Sequence, residues 1–516
     1  MALYLVCVTL LLALWPSLLG AQARPQRDWL TFGGNPERTG WATQEVELNK
    51  GNASRLELKW KSQLDNVPTE MASLTAPLVV ENVITPRGFK DLVFVAGSSD
   101  NLYALDSDTG KVLWQKRFTN ELKPKLPPRW LCPESLNATP VIDKQSRTIY
   151  LITSDGKLRG LNIVNGEDRF PPTDFVPPFS KNWSLNLVNG VIYTTISQGC
   201  GEARSGVAAM DVSNPSRPVT HFYTSIGGPA GIWGRAGAAF GPKGVYVQTG
   251  DGSWDPATGR WADTVLALEP KTLNLVDYFT PRNREFVSKK DLDMGCASPV
   301  IFPFQKWQLV ASAGKEGVIY LLDALALGGA DHRTPLFSAR YSNYDIDFAG
   351  RGVWGAISTW QDSEGQRWLY VPTWGPPSKD APKFQYTYGE APRGSIMAFQ
   401  VTVQNDKPAL APVWISRDMS MPEPPVIANG VVFALANGEN ARQVGEDGVM
   451  LTSKQRIDTR TGNAILYAFD AATGKQLYSS ENIIDSWTHF SGLALASGRI
   501  YVTTFDSRVY SFGLKQ

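Results

Sequence analysis

One phrase that recurs along the chain limits its fold more than any other feature. Leu102-Tyr-Ala-Leu-Asp-Ser-Asp-Thr-Gly-Lys-Val-Leu-Trp114 returns nearly intact as Leu466-Tyr-Ala-Phe-Asp-Ala-Ala-Thr-Gly-Lys-Gln-Leu-Tyr478. Looser copies run Leu158–Phe170 and Val265–Tyr278, the last without the turn glycine. Each reads as an alternating strand, a turn and a second strand ending on an aromatic. Further alternating strands include Leu92–Ala96, Thr148–Thr153, Gly244–Thr249, Trp307–Ala313 and Arg499–Thr504. A four-stranded unit repeated every ~50–60 residues is the signature of a β-propeller blade.

Innermost strands are predicted at Leu74–Val79, Leu136–Ile142, Asn182–Val188, Ile232–Ala238, Asp293–Val300, Gly352–Ser358, Met421–Ile427 and Phe490–Ala494. The last unit, ending Val509-Tyr-Ser-Phe-Gly513, lacks an outer strand, which Leu56-Glu-Leu-Lys-Trp60 supplies. That pairing closes the ring and hides both edges. The expected fold is therefore all-β: an eight-bladed β-propeller closed by an N-terminal strand, a single unit over 24–516. Two stretches exceed the repeat, Trp374–Arg393 and Glu439–Thr461, and are expected as loops over one face.

Composition agrees with many short strands: 17 Trp, 17 Tyr and 22 Phe, with 46 Gly and 35 Pro to make turns. The 50 Lys+Arg nearly cancel the 49 Asp+Glu, giving +1. Without a basic excess to release counterions, a nucleic-acid partner is not expected. The apolar stretch Leu3–Leu19 followed by Ala21-Gln22-Ala23 reads as a signal peptide over 1–23, implying a periplasmic or secreted protein. No later segment is long and apolar enough for a transmembrane helix, so none is expected after cleavage. Past Cys7 remain Cys132, Cys200 and Cys296. They are either one pair with a spare or three buried thiols, and buried thiols are the simpler expectation.

The repeat Ala104-x-Asp-x-x-Thr-Gly-x-x-x-Trp114, its copy at Ala468–Tyr478, and the opening Asp28-Trp29-x-Thr-Phe-Gly-Gly34 resemble the quinoprotein propellers. These are the periplasmic alcohol dehydrogenases that use pyrroloquinoline quinone (PQQ). The resemblance covers nearly all of the chain after residue 23. It implies an oxidoreductase acting on an alcohol or sugar, with PQQ and a divalent cation, Ca2+ or a lanthanide, as cofactors. It also implies a site. Glu202, in Gly199-Cys-Gly-Glu202, and Asp251, in Thr249-Gly-Asp251, are the implied metal ligands, Asp251 standing where the family has Asn. Trp233 of Trp233-Gly234 is the implied plane beneath the quinone. Asp293 is the implied general base and adds to the metal set. Asp291 is the alternative base, in which case Asp293 becomes the extra acidic ligand of lanthanide-dependent members. Lys315 is the implied cation on the quinone oxygens.

The sequence departs from the family's classical members in lacking adjacent cysteines; Cys132 stands in the corresponding region without a neighbour. It also lacks Cys-x-x-Cys-His, so electrons are expected to leave to a separate c-type cytochrome. His489 is expected as a hydrogen-bonded structural histidine, Arg351 and Trp354 at the funnel mouth or between blades, Glu423 as a channel cap or a surface acid, and Asn137 in a strand. The second reading is a non-catalytic propeller scaffold that binds a protein or polymer partner.

Overall fold

The computed structural model describes residues 27–515, so the segment 1–23, expected as a signal peptide, lies outside the described residues. Eight antiparallel sheets follow one another along the chain. In the first blade the strands run Leu78–Thr85, Gly88–Gly97, Asn101–Asp106 and Val112–Arg117, in that order from the axis outward. The inner strands of the next six blades start at Val141, Asn186, Ala239, Val300, Ser358 and Val426. In the eighth, Leu493–Ala496, Arg499–Thr503 and Arg508–Leu514 come from the C-terminus, and Leu56–Gln63 adds the fourth strand. Leu56 pairs with Leu514 and Gln63 with Arg508, as the incomplete last repeat predicted. Helix is confined to short pieces, of which Arg284–Lys289 and Ser453–Asp458 are α-helical.

The repeated phrase has a physical reason at each position. Asp106 Oδ1 accepts from the backbone N–H groups of Asp108 and Thr109, both at 3.0 Å, and so fixes the turn. Asp470 does the same for Ala472 and Thr473 at 2.9 Å. The glycine that follows carries the indole of the preceding blade. Trp60 donates Nε1–H to Ser107 O at 2.7 Å, Trp114 to Ile163 O at 3.1 Å, and Trp414 to Ala471 O at 2.9 Å. A Cβ on Gly110 would stand 2.5 Å from the Trp60 ring, and one on Gly474 2.6 Å from Trp414. Both glycines also have positive φ, a second reason no side chain is tolerated.

The segment after Arg27 ties the ring from below. Trp29 exchanges backbone hydrogen bonds with Val79 of the first blade, and Leu30 O accepts from Ile142 of the second. Thr31 reaches Leu185 O beside the third blade; Pro36, Glu37, Thr39 and Gly40 accept from Phe240, Ile301, Thr359 and Ile427 of the fourth to seventh. Glu45 accepts from Gly498 of the eighth. Arg38, 1% exposed, is the hub: it donates to Ala238 O, Thr31 Oγ1, Phe32 O and Leu185 O at 2.6–3.1 Å.

One expectation is corrected. Regular pairing of the inner strands begins later than predicted, at Leu78 rather than Leu74 and at Ala239 rather than Ile232; Leu74 and Thr75 still pair with Gly97 and Ala96, but Pro77 has no N–H to continue the ladder. Both long loops follow second strands and so leave the blades on the same face, as expected, Trp374 at the start of one lining the axial cavity. Gln443, Val444 and Met450 of the 439–461 loop border the axial cavity. In the other stretch, Tyr386–Thr387 lies along the outer edge of blade six, parallel to Trp414–Ile415.

Replacing Arg38 by Met removes four buried hydrogen bonds from a charged donor and leaves Phe32 O without a partner, while Leu185 O and Ala238 O keep Thr31 and Asn186; a charge-assisted bond is worth about 1.5–3 kcal/mol. Urea unfolding of the variant is expected to show a drop of at least ~3 kcal/mol with an unchanged strand spectrum.

Candidate functional site

In each blade, the residues just before the inner strand and just after the second strand emerge on the same face. An axial cavity of about 350 Å³ opens there, toward the small end of the usual ~300–1,000 Å³ for ligand pockets. Its two ends carry opposite charge.

The acidic end belongs to blades four and five. Asp251 follows the strand Gly244–Gln248, Asp291 and Asp293 precede Val300–Phe304, and Lys315 follows Trp307–Ala313. One oxygen from each of Asp251, Asp291 and Asp293 lies within 4.8 Å of the others. Lys315 Nζ sits 2.6 Å from Asp291 Oδ1 and 2.7 Å from Asp293 Oδ2. Three carboxylates thus face one ammonium. Asp293 is only 1% exposed, and neither of its oxygens receives a well-aligned hydrogen bond. Burial drives its carboxyl upward, opposed in part by Lys315 and reinforced by Asp291 and Asp251. Burial works against the Lys315 charge, but Asp293 and Asp291 outweigh it and raise the ammonium. Burial raises Asp251 as well, with Asp291 adding to it. Only Asp293 is buried, with Asp291 partly exposed and Asp251 exposed, so the cluster opens to the cavity and presents carboxylate oxygens of the kind a hard cation takes.

Beside the acids stands Trp233, whose ring centroid is 5.2 Å from Lys315 Nζ. It meets Trp354 edge-on at 5.3 Å, and Trp354 stacks on Trp374 at 4.1 Å, so the indole is held by two others. Beneath them Arg235 lies 3.9 Å from the Phe490 ring and pairs with the fully buried Glu423. Glu423 is thus neither a surface acid nor free.

The far end is basic. Lys181, Arg456 and His489 line it with Trp130 and Trp183. His489 Nδ1 is 2.6 Å from Glu439 Oε2, and Arg456 binds the other oxygen of the same carboxylate. Burial raises Glu439, but His489 and Arg456 overcome this and hold it low. The structural role expected of His489 fits that bond. Lys181 has no carboxylate partner among the described residues; it donates to Leu131 O at 2.9 Å. Burial, with Arg456 adding, pulls its amine down to about 7.

Trp233, Asp251, Asp293 and Lys315 therefore meet as expected, while Glu202 does not join them. Gly199, Gly201 and Glu202 all have positive φ in a tight turn that swings Glu202 outward. Its side chain is 72% exposed and 2.6 Å from Lys125 Nζ. Asp291 completes the acid cluster instead, and Gln198 is the residue of that bend which reaches the cavity. The expectation of three buried thiols is also corrected. Cys132 and Cys200 form a disulfide, and only Cys296 is free among the described residues. The cystine pins the turn against Leu131, whose carbonyl receives Lys181. Arg351 turns from the cavity to Asp345 at 2.8 Å, whereas Trp354 lines it. Lys181, Arg456 and Gln198 left no sequence signal, since single polar residues near blade ends are common.

Residues 57–253 match the profile of a family described as outer membrane protein assembly factor BamB, also known as the PQQ_2 repeat. The quinohemoprotein alcohol dehydrogenase ADH IIB of Pseudomonas putida is 25% identical over 345 residues. That alignment spans 57% of this chain and 46% of the relative, so the chain matches less than half the relative's length. A europium-containing methanol dehydrogenase superposes with a TM-score of 0.63 at 14% identity, covering 94% of this chain and 98% of its own. The quinohemoprotein alcohol dehydrogenase of Comamonas testosteroni gives 0.54 at 15% identity, covering 96% and 82%. The chain is an eight-bladed propeller similar in fold to these proteins, with the profile match confined to residues 57–253. It has the fold of the quinoprotein dehydrogenases, and among the described residues no helix is long and apolar enough to cross a membrane.

Two outcomes follow from this geometry. Replacing both Cys132 and Cys200 by Ser is expected to cost about 2–4 kcal/mol in urea unfolding, since a loop between residues 68 apart is released. Lys181, lowered from the usual 10.5 to about 7, binds a proton on unfolding between those pH values, so its contribution makes stability rise with pH in that window. The Lys181→Met protein is expected to lose that slope, read as the difference between the two stability–pH curves.

Proposed function

We propose that the chain is a quinoprotein dehydrogenase that binds PQQ and a multivalent cation in the axial cavity and oxidises an alcohol or sugar. The observation that carries this reading is the undercompensated cluster of buried Asp293 with the more exposed Asp251 and Asp291 beside the Trp233 plane. PQQ, when bound, supplies a planar quinone whose carbonyl accepts a hydride from a carbinol carbon. Trp233, braced by Trp354 and Trp374, is the platform under that plane. Asp251 and Asp293 hold the cation. Lys181, which has no carboxylate partner among the described residues, would face the carboxylates of a bound anionic guest at the opposite end, with Arg456 and its partner Glu439 beside it.

Of the two aspartates beside Lys315, Asp291 suits the general base better than Asp293. Its side chain is 49% exposed, against 1% for Asp293, so a hydroxyl can reach it. Lys315 occupies Oδ1, which leaves Oδ2 to receive the proton. The role first expected of Asp293 thus becomes that of a fixed ligand, an arrangement suited to a lanthanide as well as to Ca2+. Periplasmic placement and electron delivery to a separate c-type cytochrome belong to the same proposal. The scaffold reading is favoured by one observation, the outward turn of Glu202, which removes a carboxylate from the expected ligand set.

The test is reconstitution of purified protein with PQQ and either Ca2+ or La3+, reading cofactor retention by absorbance and turnover by dye reduction over an alcohol and sugar panel. Asp291→Asn is expected to keep the cofactor and lose about 10²–10⁴-fold in kcat. Asp251→Asn and Asp293→Asn should lose metal-dependent retention, and Glu202→Gln should match the parent protein. Failure to retain PQQ with either ion refutes the dehydrogenase and leaves the scaffold.

A further inference from the structure

A second concavity, of about 1,000 Å³, lies away from the axial cavity. It is bordered by the turn 361–366, which joins the first two strands of blade six, and by the corresponding turns of blade seven at Asn429-Gly430 and Ala472-Thr473. Such turns emerge on the face opposite the axial cavity, so the two sites are separate. Nothing in the dehydrogenase reading uses this groove.

Its walls combine aromatic faces with uncharged hydrogen-bonding groups. Trp41 and Trp360 are partly exposed and Tyr386 is 46% exposed. Gln385 and Gln400 make no side-chain hydrogen bond among the described residues, so their amides are available to a guest. Gln366 is held differently. Its Nε2 donates to Arg367 O and Val401 O, both at 2.9 Å, which leaves Oε1 as a fixed acceptor. The charges nearby are largely committed. Lys50 pairs with Asp470 at 3.1 Å, and Asp362 accepts from Trp368 Nε1 at 3.0 Å and from two backbone N–H groups.

We propose that this groove binds a neutral oligosaccharide chain. A pyranose ring presents C–H groups on its faces and hydroxyls around its rim. The faces are desolvated against indole and phenol rings, and the rim is met by amides that both donate and accept. An anionic polymer would need free cations, and the one cation lining the groove, Lys50, is paired with Asp470. An amphipathic helix would need a continuous apolar stripe, which the amides interrupt. The volume suits several sugar units rather than one.

The full chain should be retarded on native gels cast with at least one of hydroxyethylcellulose, glucomannan or dextran, and not with heparin. Quenching of tryptophan fluorescence by the hexasaccharide of the retarding polymer then gives an affinity. Trp360→Ala and the exposed-site variants Tyr386→Ala and Gln385→Ala are expected to weaken it by about tenfold, a difference of ~1.4 kcal/mol, with circular dichroism unchanged. Asp291→Asn should bind the sugar as well as the parent, which separates this site from the axial one. Retardation by none of the neutral polymers, equal retardation by heparin, or no effect of Tyr386→Ala and Gln385→Ala overturns the proposal.

Discussion

Everything in this molecule hangs on keeping eight similar sheets in one closed circle, and the residues from Trp29 to Glu45 do that. They cross the lower end of the axis and bond to each blade in turn, with Arg38 at the centre. A guanidinium is suited to the place, since its donors diverge in a plane and reach carbonyls beside the third and fourth blades while also holding Thr31 and Phe32 of its own segment. The second closure, Leu56–Gln63 on the edge of Arg508–Leu514, ties the two ends of the chain into one sheet. Because the lower end is sealed by backbone and the blades dock through Trp60, Trp114 and Trp414, the upper end is left open without loss of stability elsewhere.

That opening explains the distribution of charge. Loops before inner strands and after second strands converge on the axis, where water is scarce and an isolated charge is costly. The chain meets the cost at the basic end with Glu439, shared by Arg456 and His489, and below the floor with Glu423 against Arg235. At the acidic end it does not. Asp251, Asp291 and Asp293 share only Lys315, and it is on this mismatch that the proposed cation site rests. The braced stack of Trp233, Trp354 and Trp374 beside it gives the slot a rigid flat wall.

Much of this could be read along the chain, because its signals are local. The Asp-x-x-Thr-Gly turn and its aromatic partner announce a blade whatever surrounds them, and the truncated last repeat required a strand from the N-terminus. Asp251, Asp293, Trp233 and Lys315 were reached through the resemblance of their motifs to the quinoprotein family. Glu202 was misplaced because strand spacing says where a bend lies, not which way it turns. Three consecutive-region residues with positive φ and the Cys132–Cys200 link sent its side chain to solvent and brought Gln198 to the cavity. The cysteines themselves could not be paired from order alone, since their approach depends on how two neighbouring blades sit.

The sequence by itself therefore determined the blade, the number of blades and the way the ring closes, since each rests on hydrogen bonds and packing between residues near in the chain or on an unpaired edge that must be covered. Only the tertiary structure decided which acids share one small volume, which cations stand opposite them and which loop covers the mouth. Those facts depend on distances across the axis between side chains from different blades, and a linear string carries no record of such distances.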